Sequence, residues 1–277
     1  MITLQRSTLA AVVLIALAGG AQAQTPSSTA EKPYEPTVGM AGKDSVWVPT
    51  PPSLIEKMLD QASVTADDFV MDLGSGDGRA IIAAARRGAR GLGIEYNPDL
   101  VEYSKRQAAA AGVSGRAAFA QGDMYEADIS KATVLTLFLL PTNLEKLAAK
   151  FMELPPGTRI VANTFWVPGW TPDDTLKLQE DCESWCTSHL VIIPARIEGD
   201  WRVSDGMLAL TQTYQQVEGA YTAAGRPSEA VKGSLRGTDI TLTIGGTEYH
   251  GAVKGGTMEL APKSEGTGRK VVATRKE

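Results

Sequence analysis

The stretch Val70-Met-Asp-Leu-Gly-Ser-Gly-Asp-Gly-Arg79 decides the fold. Apolar Phe69, Val70, Met71 and Leu73 read as a buried strand, Gly74 to Gly78 as a tight turn, and Arg79 to Arg87 as an Ala- and Ile-bearing helix. A strand that enters a helix through glycines lets backbone N–H groups approach a ligand closely, as nucleotide-cofactor loops do. The glycines fall at 74, 76 and 78, and Arg79 stands where a dinucleotide fingerprint would place its third glycine. The Gly-Lys-Ser/Thr ending of a P-loop is absent.

Working outward, Gly91-Leu-Gly-Ile-Glu95 is a short apolar strand ending in an acid. Glu95 follows Gly74 by 21 residues, close to the roughly 20-residue offset at which an acid meets ribose hydroxyls. Asn97-Pro98 opens a helix that reaches Ala111, with Asn as N-cap and Pro at the first position. Strand Ala117–Gln121 ends at Gly122-Asp123-Met124, and the apolar run Thr133–Leu140 suits a central parallel strand. Helix Leu144–Met152 and strand Thr158–Asn163 follow. This alternation predicts a doubly wound α/β sheet that binds its ligand at the carboxyl ends of its strands, where Asp72, Glu95, Asp123 and Pro141 all fall. His189–Pro194 and Gly199–Val203 are expected to complete seven strands.

Asp72-x-Gly74-x-Gly76-x-Gly78 resembles the first motif of the class I S-adenosylmethionine (SAM) methyltransferases. Val48-Pro-Thr-Pro51, Asp72 to Arg79, Gly93-Ile-Glu-Tyr-Asn-Pro98 and Pro155-Pro-Gly-Thr-Arg159 are similar to the bacterial relatives of the mitochondrial lysine methyltransferases acting on the ATP-synthase c-subunit and the adenine nucleotide translocase. The resemblance spans 45–205 and implies a Rossmann-like methyltransferase sheet. It implies SAM held by Asp72, Gly74, Ser75, Gly76, Asp77, Gly78, Glu95 and Asp123, with Met124 and Leu140 beside them. Asp72 would face the SAM ammonium, Glu95 the ribose and Asp123 the adenine amino group. A protein lysine is the implied acceptor, with a small molecule as the alternative. An exported protein that keeps the SAM fold without catalysis is the competing function. No catalytic base is named, because the sulfonium already activates the methyl group.

Chemistry of other kinds finds little footing. His189 and His250 lie in strand-like runs and read as structural, and Cys182 and Cys186 lack the companions of a metal site. The net charge is −5. Residues 206–277 hold nine Lys/Arg against seven Asp/Glu, so that segment carries +2 and the remainder −7. No basic footprint for nucleic acid emerges, and the Asn/Asp-Pro-Pro-Tyr of nucleic-acid amino methyltransferases is missing at Phe138-Leu-Leu-Pro141.

The ends of the chain carry separate expectations. Arg6, the apolar run Leu9–Ala18 and Ala21-Gln-Ala23 match a signal peptide over 1–23, predicting a periplasmic or secreted protein with no stable membrane insertion after cleavage. A start at Met40 would instead leave the protein cytoplasmic. Export would allow a Cys182–Cys186 disulfide. Residues 24–44 read as a linker, and Ser53 with Glu56 as a capping box for helix Leu54–Ala62. Trp166 and Trp170 are candidates to wall an acceptor site. From 206 to 277, alternation and glycine turns predict a small antiparallel β domain, with strands Met207–Tyr214, Ser234–Arg236, Ile240–Ile244 and Thr247–Val253.

Overall fold

The computed structural model describes residues 1–2, 34–263 and 270–276; residues 3–23 of the expected signal peptide and 24–33 of the expected linker lie outside the described residues. Helix α1 (Pro52–Gln61) precedes strand β1 (Phe69–Leu73) and α2 (Arg79–Arg86). Then come β2 (Arg90–Glu95), α3 (Pro98–Ala110), β3 (Ala117–Gln121), β4 (Val134–Leu137) and α4 (Pro141–Phe151). β5 (Arg159–Asn163), β6 (Asp174–Lys177) and β7 (Thr187–Ile192) complete a seven-stranded sheet of order β3-β2-β1-β4-β5-β7-β6. The first five strands are parallel, and β7 and β6 run antiparallel to their neighbours.

The helices obey their sequence signals in part. Asn97 caps α3 by accepting the Asp99 N–H at 2.9 Å, with Pro98 at the first position. The expected capping box at Ser53 does not form: α1 starts at Pro52, two residues before the expected Leu54, and the Ser53 hydroxyl donates to the Asp181 carbonyl at 2.8 Å. Proline at a first helical position needs no N–H partner, which makes Pro52 the better start. The expected apolar face of Leu54, Ile55, Met58 and Leu59 is buried. α4 likewise opens on a proline, Pro141, with Leu140 as N-cap. The predicted run Thr133–Leu140 is therefore a four-residue strand, and Phe138, Leu139 and Leu140 leave the sheet.

Gly199–Val203 (β8) is not the seventh strand of this sheet; Asp174–Lys177 takes that edge, and β8 belongs to a second sheet. Together with β9 (Gly206–Thr213), β10 (Gln216–Ala223), β11 (Glu229–Arg236), β12 (Asp239–Ile244), β13 (Thr247–Lys254), β14 (Thr257–Pro262) and β15 (Val271–Arg275), it closes an antiparallel eight-stranded barrel. Trp201, Leu208, Leu242, Met258 and Leu260 fill the interior, as eight-stranded barrels allow. Ideal Cβ atoms on Gly219 and Gly233 would lie 2.1 and 2.0 Å from the Ala209 and Thr241 carbonyl oxygens. Glycine is what lets neighbouring strands approach this closely.

Candidate cofactor and acceptor site

Because β1 to β5 run in register, their carboxyl ends share one edge of the sheet. The glycine loop turns there. Gly74, Gly76 and Gly78 all have positive φ, 74, 54 and 79°, a region closed to most side chains. A Cβ on Gly78 would meet the Phe119 ring at 2.6 Å and the Ser104 Cβ at 2.8 Å, so the loop is pressed against β3 and α3. The Ser104 hydroxyl donates to the Gly76 carbonyl at 3.0 Å and fixes the loop from below.

A cavity of ≈ 370 Å³ opens on this edge. It is lined by Asp72, Gly74, Ser75, Gly76, Asp77, Glu95, Asp123, Met124 and Leu140, nine of the ten candidate cofactor residues. The tenth, Gly78, lies beneath as the left-handed N-cap of α2. Asp72 is buried, and its carboxyl is pushed up to about 8, first by loss of solvent and then by the neighbouring Glu95 charge. Glu95 accepts N–H groups from Gly76 and Asn97, each at 2.9 Å. Asp123 pairs with Lys43 at 2.5 Å, and this contact, followed by the Tyr125 N–H, holds its carboxyl below the usual range.

Lys43, Asn143 and Trp185 line the cavity without a signal in the sequence, whereas the proline-bearing arm around Trp47 belongs to the resemblance. The arm before α1 folds over the glycine loop: a Cβ on Gly76 would lie 2.4 Å from the Trp47 Nε1. Lys43 on the same arm sits 5.1 Å above the Tyr96 ring. Asn143 is buried on α4 with an Nδ2 that has no partner, and the buried Ser75 Oγ is equally unpaired. Both line the cavity.

Trp166 and Trp170 do not wall it. They are buried in the core beneath, where Trp166 stacks on Phe151 and Trp170 on Tyr214. Their segment folds inward because the β5–β6 connection carries the large rings, and burial of such rings dominates over display. Phe165, next to Trp166, does line the cavity, together with Phe138 and Trp185. Cys182 and Cys186 form a disulfide around Trp185. His189 is held between Thr175 Oγ1 and the Thr164 carbonyl, at 3.0 and 3.1 Å. Among the described residues no cluster suited to a metal ion occurs.

The donor set fits SAM. A buried carboxyl suits an ammonium, and Ser75 Oγ and Asn143 Nδ2 are buried polar atoms still lacking partners.

A family model described as the ANTKMT methyltransferase domain matches residues 72–174. A protein-lysine N-methyltransferase of Saccharolobus islandicus (strain REY15A) is 42% identical over 137 residues, 48% of this chain and 85% of that protein. The lysine N-methyltransferase of Mus musculus named for the ATP synthase c-subunit is 41% identical over 107 residues, 38% of this chain and 43% of the relative, so the chain spans under half of that protein. The solved structure of an RNA methyltransferase from Salinibacter ruber, in complex with S-adenosyl-L-homocysteine, is 47% identical. It covers 54% of this chain and 96% of its own, with a TM-score of 0.51. Nothing in these similarities supports a non-catalytic protein. The chain belongs to the family of the ANTKMT methyltransferase domain and is a SAM-dependent methyltransferase.

Proposed function

We propose that this enzyme is a protein-lysine N-methyltransferase. The observation that carries the reading is the charge of the cavity wall: Asp44, Asp72, Asp77, Glu95 and Asp123 face only Lys43 and Arg79. Both cations are already engaged, Lys43 by Asp123 and Arg79 by Asp77, each at 2.5 Å. With Asp72, Glu95 and Asp123 committed to the cofactor, this wall has no unpaired cation to offer a phosphate backbone, which binds through Lys and Arg. The named relatives point both ways, to protein lysine in the Saccharolobus protein and to RNA in the Salinibacter protein. The lack of an unpaired cation in the wall favours lysine.

SAM supplies a methyl group already activated by its sulfonium. In this reading the chain contributes placement and exclusion of water. Asp72 would take the ammonium, the glycine loop the carboxylate, Glu95 the ribose and Asp123 the adenine, with Met124 and Leu140 as apolar neighbours in the same wall. Bound there, SAM would supply the methyl group and keep the sulfur electron pair as the thioether, and the acceptor ammonium would first have to release its proton to solvent water.

The test uses SAM labelled in its methyl group, purified protein, poly-L-lysine and bacterial protein and RNA extracts as acceptors. Label on methylated lysine after acid hydrolysis is expected. Label in RNA, with none on lysine, overturns the assignment.

We further propose that the protein is exported and trimmed after Ala23. The Ala21-Gln-Ala23 site and the Cys182–Cys186 disulfide support this, since disulfides persist in oxidising compartments. Mass spectrometry of the native protein should find Gln24 as the first residue; an intact Met1 or a start at Met40 contradicts it.

A further inference from the structure

The cavity is chemically two-sided. Its carboxylates Asp72, Glu95 and Asp123 stand near the end of β1, at the end of β2 and just after β3, whereas Phe138, Phe165 and Trp185 follow β4, follow β5 and precede β7. In the order β3-β2-β1-β4-β5-β7 these are opposite halves of one edge. A cofactor held by the acids therefore leaves the aromatic half for the acceptor. Phe138 and Phe165 stack with centroids 6.4 Å apart, and Trp185 leans on both at 5.9 and 5.6 Å. Trp185 remains 41% exposed, so its ring is not satisfied by the core.

Trp185 is also held at a conformational cost. Its φ is 60°, in the left-handed region that bulky residues avoid, and the hairpin loop between β6 and β7 contains no glycine. Two ties fix that loop: the Cys182–Cys186 disulfide, which closes a ring around Trp185, and the Ser53 hydroxyl bonded to the Asp181 carbonyl. A disulfide placed across five residues of exposed loop does little for the core. It does fix the position of one ring.

We propose that Trp185, pinned by the Cys182–Cys186 disulfide against Phe138 and Phe165, determines acceptor specificity by receiving the alkylammonium end of the acceptor side chain. The inference rests on the lysine reading above. The rings offer an apolar flank to the methylene stem and negative faces to the cation, and each methyl added strengthens that fit. Unlike the acids, the aromatic wall makes no demand on SAM.

The test uses Trp185→Ala, a Cys182→Ser/Cys186→Ser double variant and wild type, each saturated with S-adenosyl-L-homocysteine. Calorimetry should give the same cofactor affinity for all three, within about twofold, since no cofactor residue is touched. Indole N–H signals in nitrogen-15 NMR are then followed on adding n-butylammonium, with n-butanol as the neutral isostere. The Trp185 signal, assigned by its loss in Trp185→Phe, should shift with the cation in wild type and not with the alcohol. In the Cys-less protein, the shift should require about tenfold more amine.

With poly-L-lysine and labelled SAM, both variants should raise the acceptor KM about tenfold and leave kcat nearly unchanged. Equal shifts with butanol, a silent Trp185 signal, or an undiminished response in the Cys-less protein overturn the proposal. Lysine labelling with a wild-type KM in Trp185→Ala overturns it while sparing the lysine reading. Labelling of RNA alone overturns the lysine reading itself, which the NMR titration does not use.

Discussion

Asp72 at the end of β1 titrates far from its ordinary range, because burial and the Glu95 charge lift its carboxyl from 3.8 to about 8. Its proton is retained in the folded protein and lost in the unfolded one between those values, so stability falls as pH rises through that window. Asp72→Asn removes the linkage. The variant should keep a flat thermal midpoint from about pH 5 to 8, where the wild type declines. Wild type should release a proton when SAM binds near neutral pH, and the variant should lose both that release and SAM affinity, which calorimetry in two buffers of different ionisation enthalpy reads. Glu95→Ala should weaken SAM roughly 10- to 150-fold, since a hydrogen bond to a charged group contributes about 1.5–3 kcal/mol. Lys43→Met should act in the opposite direction and tighten SAM modestly, by freeing Asp123 from its ion pair; weaker binding in isothermal titration would show that Lys43 assists the cofactor instead. The three acids were legible because strand ends can be counted along a sequence. Lys43, Asn143 and Trp185 were not, since loops and a helix start bring them over the cavity from segments with no periodic signal.

At the scale of elements, the arm of residues 34–51 and the glycine loop form one closure. Gly76 has no room for a side chain because the Trp47 indole occupies that space. Gly76→Val should therefore abolish SAM binding and also unseat the arm, seen as faster proteolytic cleavage between residues 34 and 51 in an otherwise folded protein. Unchanged affinity in that variant would mean that the loop does not carry the cofactor. The α/β alternation could be read from sequence because each buried parallel strand is an apolar run flanked by a glycine or proline break. β6 could not, as Asp174-Thr-Leu-Lys177 is an exposed edge strand with no apolar pattern. Gly199–Val203 showed the two-residue period of any half-buried strand, which says nothing about the sheet it joins. In the barrel, Gly219 and Gly233 sit inside strands. Glycines there interrupt the alternation of side chains, so no strand was expected at β10 and β11 was shortened to Ser234–Arg236. The structural need was close strand approach.

For the whole molecule, Tyr34–Glu277 forms one compact unit, so sheet and barrel are joined by more than the chain between them. The joint is built on the β5–β6 connection. Trp170 stacks on Tyr214 at 4.4 Å, Gln215 donates to the Thr171 carbonyl, and Arg236 lies 3.9 Å from Asp173. The Gly237 carbonyl accepts the Ala195 N–H at 2.7 Å on the same side. This explains why Trp170 is buried: its ring serves as the docking face for the barrel rather than as a wall of the catalytic cavity. An aromatic stack is worth about 0.5–1.5 kcal/mol beyond its buried area, and truncating Tyr214 also leaves a gap against Trp170. Wild-type protein should unfold in one calorimetric transition that SAM raises as a whole, because a ligand bound at the sheet stabilises everything that unfolds with it. Tyr214→Ala should split that transition in two, with SAM raising only the one that belongs to the sheet. A single SAM-sensitive transition in Tyr214→Ala would show that the backbone link through Ala195 and Gly237 suffices to couple the two. Two transitions already present in wild type would mean that the barrel is held by its connection alone.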